Sequence, residues 1–136
     1  MCGVPSLGDM ARLAETVFVI AGDEPELSQI AVAAAILNRR RGAGITFPGF
    51  CDDGPAAADL NVVCGDVLAE VGAEPASAHG FDDAGYCRTF AAVCRVWSGE
   101  AEDPTHGATR FHLHDELPDW GRKAHPRALI GRRFFY

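Results

Sequence analysis

The sequence predicts an α+β fold, with helices first and a small sheet after them. Three observations predict it. Apolar residues recur at helical steps through most of the first hundred positions, as in Leu13, Ala14, Val17 and Phe18. The run Ala31-Val32-Ala33-Ala34-Ala35-Ile36 has almost no polar face, so its helix should be central. From Pro104 onward, Gly107, Pro118, Gly121, Pro126 and Gly131 interrupt any helix, leaving room only for short strands.

Taken in order, Ser6 and Asp9 resemble a capping box ahead of a helix at about 7–21, stopped by Gly22. A second helix starts near Asp23-Glu24-Pro25, where acids and proline suit a first turn. It runs to Arg39-Arg40-Arg41, whose charges suit a helix C-terminus. Residues 42–58 read as a long loop. Asp59 can cap a short helix through about Gly72, and another loop reaches Gly80. Asp82-Asp83 opens a helix to Ser98 with Gly99 as its stop, and the stripe Cys87, Phe90, Cys94 and Trp97 is its expected core face. Thr109–His112 and Arg133–Tyr136 are the candidate paired strands.

The chain's 136 residues match one domain, taken as 1–136, and 48% hydrophobic with 23% charged residues is the balance of a globule rather than a disordered tail. No apolar run reaches the roughly 20 residues that span a bilayer, so no membrane insertion is expected. The start, Met1-Cys2-Gly3-Val4-Pro5-Ser6, lacks the basic and apolar regions of a signal peptide, which predicts synthesis in the cytoplasm. Cys2, Cys51, Cys64, Cys87 and Cys94 form no CxxC pair and are expected mainly as small buried hydrophobes. A net charge of −7 argues against general nucleic-acid binding. Residues 110–136 nevertheless carry six basic and three acidic side chains, +3, against −10 for the remainder. A solvated face is the commoner reason for such a tail.

Two regions can carry chemistry. At the turn Ile20–Pro25 an acid lies beside apolar helix faces, where desolvation raises a carboxyl pKa toward a working general acid. The plainer role of Asp23 and Glu24 is to cap the helix. The second region, Asp103–His114, holds His106, His112 and His114, with His112 and His114 on one face of a strand. Together with His79 or Asp103 these allow a zinc site, yet their spacing matches no recognised zinc motif. No G-x-S-x-G and no activated cysteine is present.

Glu24-Pro25 followed by Gln29-Ile30-Ala31-Val32-Ala33-Ala34-Ala35-Ile36-Leu37-Asn38-Arg39 resembles the signature helix of SleB-like (spore-cortex-lytic type) cell-wall hydrolases. Ala91-Ala92-Val93 to Gly99, then Asp103-Pro104-Thr105 and Gly107-Ala108-Thr109-Arg110-Phe111-His112, resembles that family's helix, small-residue loop and D-P-T-x-G-A-T stretch. Pro118-Asp119-Trp120 and Ile130-Gly131-Arg132-Arg133-Phe134-Phe135-Tyr136 resemble its P-x-W and I-G-x-H-x-F-Y ending. The three blocks occur in family order and bracket nearly the whole chain.

The resemblance implies a lysozyme-like helical lobe with a small C-terminal β element beside a glycan groove. It also implies lytic transglycosylation of peptidoglycan, without metal or organic cofactor. A glutamic acid protonates the glycosidic oxygen, and its carboxylate then helps the muramoyl 6-hydroxyl close a 1,6-anhydro ring. The family's first glutamate, the expected acid, falls on Ile20, which cannot transfer a proton; Glu24 matches the second. The family's Q-F-S stretch has at best a remnant in Phe50–Gly54, and Arg133 stands at the ending's histidine. Glu24 is thus the candidate acid, with Glu15 or Asp23 behind it, and Thr109, His112, Trp120 and Tyr136 are expected to line the groove. The alternative is a catalytically inactive glycan-binding or structural module of the same fold, working with other proteins of a phage or phage-like tail. Release through a holin, or carriage in a virion, would bring either form to the wall.

Overall fold

A computed structural model describes residues 7–41, 60–73 and 83–136. Four helices come first: α1 (Leu7–Ala21), α2 (Glu26–Arg41), α3 (Leu60–Val71) and α4 (Asp83–Trp97). Three short strands follow, β1 (Phe111–Leu113), β2 (Ala128–Ile130) and β3 (Arg133–Phe135), with a 3₁₀ turn at Asp119–Gly121. The α+β prediction holds, helical lobe first and sheet last. Ser6, Asp59 and Asp82 as caps, the loops at 42–58 and 74–80, the Phe50–Gly54 remnant, His79, Cys2 and Cys51 lie outside the described residues.

α2 is central, as its all-apolar stretch requires: it packs on α1, α3 and α4, and Ile30 to Leu37 are at most 7% exposed. α1 completes the lobe with Leu13, Ala14, Val17 and Ala21 facing inward. Gly22 follows because the helix end leaves no room for a side chain; a Cβ there would sit 2.5 Å from the Phe18 carbonyl oxygen. Gly99, at φ 82°, ends α4 in the left-handed conformation that a glycine adopts without strain.

The expected core stripe of α4 needs correction. Cys87 is exposed, Phe90 and Cys94 are half-buried, and only Trp97 of the four is buried. The inward face is Gly85, Thr89, Ala92, Val93 and Val96, running into Trp97. α4 packs against both α1 and α2, and small side chains on that face admit two neighbours at once. Of the described cysteines only Cys64 is a buried hydrophobe. Burial pushes its thiol up, which suits packing rather than nucleophilic chemistry.

The sheet is antiparallel in the order β1-β3-β2. Phe111 pairs with Phe135 and Leu113 with Arg133, so these four share the face turned to the helices. His112 pairs with Phe134 on the opposite face. β2, absent from the sequence reading, hydrogen-bonds to β3 through the Gly131-Arg132 turn.

The loop before β1 is held by one carboxylate. Asp103 Oδ1 accepts from the Thr105 N–H at 2.7 Å and the Thr105 hydroxyl at 2.6 Å, while Oδ2 accepts from Gly107 N–H at 2.9 Å and Asn38 Nδ2 at 2.8 Å. Asn38 Nδ2 also reaches the Ala108 carbonyl at 3.0 Å, so the end of α2 fixes where β1 begins. Burial by itself raises the Asp103 pKa, but the hydrogen bonds from Thr105, Asn38 and Gly107 outweigh it and hold the carboxyl below its ordinary value.

Candidate functional site

Between the helical lobe and β1 lies a cleft of about 570 Å³. Val19 and Ile20 from the end of α1 and Val71 from α3 supply apolar lining on the helical side, with Phe111 and Leu113 on the strand side. The rest of the lining includes Glu70, His112, Glu116, Leu117, Trp120, Arg132 and Arg133. Ile20 therefore sits in the last turn of α1 and faces this cleft, half-buried against the core.

Of the expected groove residues, His112 and Trp120 line the cleft, while Tyr136 touches both without being among its lining residues, its ring centroid 5.3 Å from His112 and 5.1 Å from Trp120. The His112 ring is fixed from both ends. Nδ1 lies 2.7 Å from the Leu113 carbonyl oxygen, which can only accept, so in the neutral ring Nδ1 carries the proton. Nε2 then accepts from the Tyr136 hydroxyl at 2.7 Å. With both nitrogens engaged, His112 is a wall of the cleft rather than a free base. Thr109 contributes differently: its N–H bonds the Tyr136 carbonyl at 2.8 Å, tying β1 to the chain's end, and it is not among the cleft's lining residues.

Glu24 lies apart from that cleft. It borders a second, smaller depression of about 470 Å³ with Pro25, Gln29, Arg88 and Arg95. Its carboxylate is turned inward to Arg133, whose Nη1 donates to Oε1 at 2.5 Å while Nη2 donates to the Ile20 carbonyl at 2.9 Å. The pair is deeply buried, with side-chain exposures of 8% for Glu24 and 5% for Arg133. The residue at the family's histidine position thus clamps the α1–α2 turn onto β3. Gly131 makes the approach possible: it turns at φ 58°, and a Cβ there would lie 2.5 Å from Ser28 Oγ. Glu24 Oε2 remains buried without a hydrogen-bond partner, with Arg132 Nη2 3.8 Å away.

The other acids named from sequence are elsewhere. Asp23 is exposed at the turn, and Glu15 acts on Tyr86 of α4. Burial first and then the Glu15 charge raise the Tyr86 pKa. His106 is exposed at φ 57° and His114 is exposed past the end of β1; among the described residues no group of three or more His, Cys, Asp or Glu is placed to hold a metal ion.

One cleft residue, Glu70, and its partner Arg110 were missed in the sequence. Glu70 lines the cleft from the last turn of α3, paired with Arg39 and, at 3.3 Å, with Arg110 Nη2. Arg110 in turn lies over the Trp120 ring, 4.1 Å from its centroid. Arg110 stood in the motif stretch between Thr109 and Phe111, and a preference of guanidinium for indole faces was the available signal; nothing local marked Glu70.

No protein-family model matches the chain, and no curated protein matches it. Among solved structures it is similar to the catalytic domain of the Bacillus cereus SleB protein, at 23% identity and a TM-score of 0.63 over 98% of this chain and 92% of that one. The chain has the SleB catalytic-domain fold. The lysozyme-like lobe and β element expected from the three sequence blocks are therefore present, with Ile20 on the cleft side of α1 and Glu24 behind it. Among the described residues no helix is long and apolar enough to cross a membrane.

Proposed function

We propose that the cleft engages a glycan strand of peptidoglycan, and that the wild-type chain binds this polymer far better than it cleaves it. The observation that carries the reading is the pairing of a cell-wall-hydrolase fold with an isoleucine at the cleft position where the acid is expected. An aromatic wall of Trp120 and His112 above aliphatic side chains suits sugar rings, which present apolar C–H faces and polar edges. General acid catalysis contributes on the order of 10²–10⁴-fold, so a cleft without it retains recognition and loses most of its rate.

A second reading keeps the chain as a lytic transglycosylase with Glu24 as the acid. The Oε2 of Glu24 favours it, since that buried oxygen accepts no hydrogen bond. Two assays separate the readings. Co-sedimentation with purified sacculi measures binding, and turbidity loss with product masses measures cleavage. Firm sedimentation with weak or silent cleavage is expected; strong cleavage abolished by Glu24→Gln, with the variant folded, would establish the second reading, and failure to sediment would remove both.

A further inference from the structure

We propose that the chain associates with a second copy of itself, the outer edge of β2 taking up the segment Asp115–Asp119 of the other copy. Four large hydrophobic side chains stand exposed among the described residues: Leu27, Val62, Leu117 and Leu129. Leu117 and Leu129, each 61% exposed, sit among charges of opposite sign. Leu117 lies with Asp115, Glu116 and Asp119, all exposed, and no basic residue occurs from 115 to 121. Leu129 lies between Arg127 and Arg132, with Arg122 and Lys123 just ahead; these four are exposed too, and no acid occurs from 120 to 136. Charges at a sheet edge repel a like-charged neighbour and attract an opposite one. Both halves of such a contact are present on this one chain.

The backbone is complementary as well. β2 is an edge strand, and the register shows which of its groups are open. On the β1 side, the Arg132 C=O accepts from His114 N–H at 2.7 Å and the Tyr136 N–H donates to Arg110 C=O at 2.9 Å. Backbone groups alternate sides along a strand, so Phe134 also turns to β1 while Arg133 and Phe135 turn to β2. Leu129 is paired with Phe134 and therefore directs its own N–H and C=O away from β3, at the free edge. Leu117 has the matching groups: neither its N–H nor its C=O is hydrogen-bonded among the described residues, and Pro118 is extended at φ −67° and ψ 157°. Laid antiparallel with Leu117 opposite Leu129, the two leucines exchange both bonds of one ladder pair and share a face. That register brings Asp119 to Arg127 and Asp115 to the turn at Arg132. Pro118 then turns its nitrogen away from β2, so its missing N–H costs no bond. Leu117 also lines the cleft, so the other copy's β2 comes to the cleft's rim.

The test is sedimentation velocity of the full chain over a concentration series. Wild type should gain mass with concentration, with a Kd on the order of 10⁻⁴ M, since so small a contact is weak. Salt at about 1 M, where charges are screened within about 3 Å, should weaken association by about tenfold or more. Arg127→Glu and Asp119→Arg each set like charges against each other and should each weaken it by about tenfold or more. An equimolar mixture of these two variants should regain association, because each then offers the other a complementary face. Val62→Ala, an exposed hydrophobe on α3 outside the contact, is the control and should associate as wild type does. Variants are compared where their circular dichroism matches wild type, and Asp115→Arg replaces Asp119→Arg if the latter unfolds. A wild type that stays monomeric up to about 1 mM overturns the proposal and leaves the β2 edge to a foreign acidic segment. Association that both reversals leave unchanged, or folded variants whose mixture stays monomeric, overturns it as well.

Discussion

In α2, eight consecutive residues from Ile30 to Leu37 are buried, and all are aliphatic. From Asp103 to Tyr136, the buried hydrophobic side chains are Ala108, Phe111 and Phe135, with Ala128 and Ile130 packed partly buried against the core, and directed bonds supply much of the remaining hold. Beside the sheet pairing, those bonds include the Asp103 cage, the Glu24–Arg133 pair and the His112–Tyr136 contact. The helical lobe is thus stabilised by area removed from water, which tolerates small shifts of position. The strand segment is stabilised by donors and acceptors at set distances, which do not. The cleft lies at their seam, so each wall is built by the other kind of force.

The contrast can be broken first in the helical lobe, where the largest effect is expected. Ala34→Glu places an unpaired charge at a site with no exposure and should cost more than about 4 kcal/mol, enough to unfold the domain. A melt resembling wild type would show that α2 is not the central helix.

The next effect belongs to the clamp between the regions. Glu24→Gln leaves the Arg133 guanidinium buried without its counter-ion and should destabilise by about 3 kcal/mol, read from chemical denaturation. On the binding reading, affinity for sacculi in the folded fraction should hardly change, because Glu24 lies outside the cleft lining. A variant as stable as wild type that loses a strong cleavage shown by the wild type would instead make Glu24 catalytic.

Asp103 gives a smaller effect with a characteristic pH dependence. Its carboxyl is held below the ordinary value in the folded protein, so the unfolded chain takes up its proton first as pH falls. The stabilisation is present above the ordinary carboxyl range and is lost below about pH 4. Asp103→Asn should lower stability at neutral pH by about 2 kcal/mol and flatten the acid limb of the Tm profile. An unchanged acid limb would mean that the cage does not hold the loop.

The same division explains what was legible in the sequence. Helices α1 to α4 were found within a residue or two because their periodicity and Gly99 are local signals. The face of α4 was misjudged because hydrophobicity ranked Phe90 and Cys94 above Thr89 and Ala92, whereas two neighbouring helices select for small size. β2 was missed because three residues after Pro126 are too few for a pattern, and the strand exists only through its pairing with β3. In the cleft, Ile20, His112 and Trp120 were placed by their motif positions. Glu24 was placed at the right turn, but its partner lies 109 residues away, and nothing local shows that its carboxylate turns inward to Arg133. Glu70 and Arg110 were missed for the same reason, their contact spanning 40 residues.

The claim that the fold keeps a glycan cleft and lacks the acid at its expected place is tested most directly by Ile20→Glu on purified murein. The new carboxyl would enter beside Val19, Phe111 and Leu113, near a guanidinium already committed to Glu24. Desolvation beside these apolar side chains favours the protonated form that donates, against the pull of the Arg132 and Arg133 charges. The account predicts turbidity loss on the order of 10²-fold or more above wild type, with 1,6-anhydromuropeptides as products. A folded Ile20→Glu that binds murein and remains silent would contradict it, as would wild-type cleavage already equal to that of the variant.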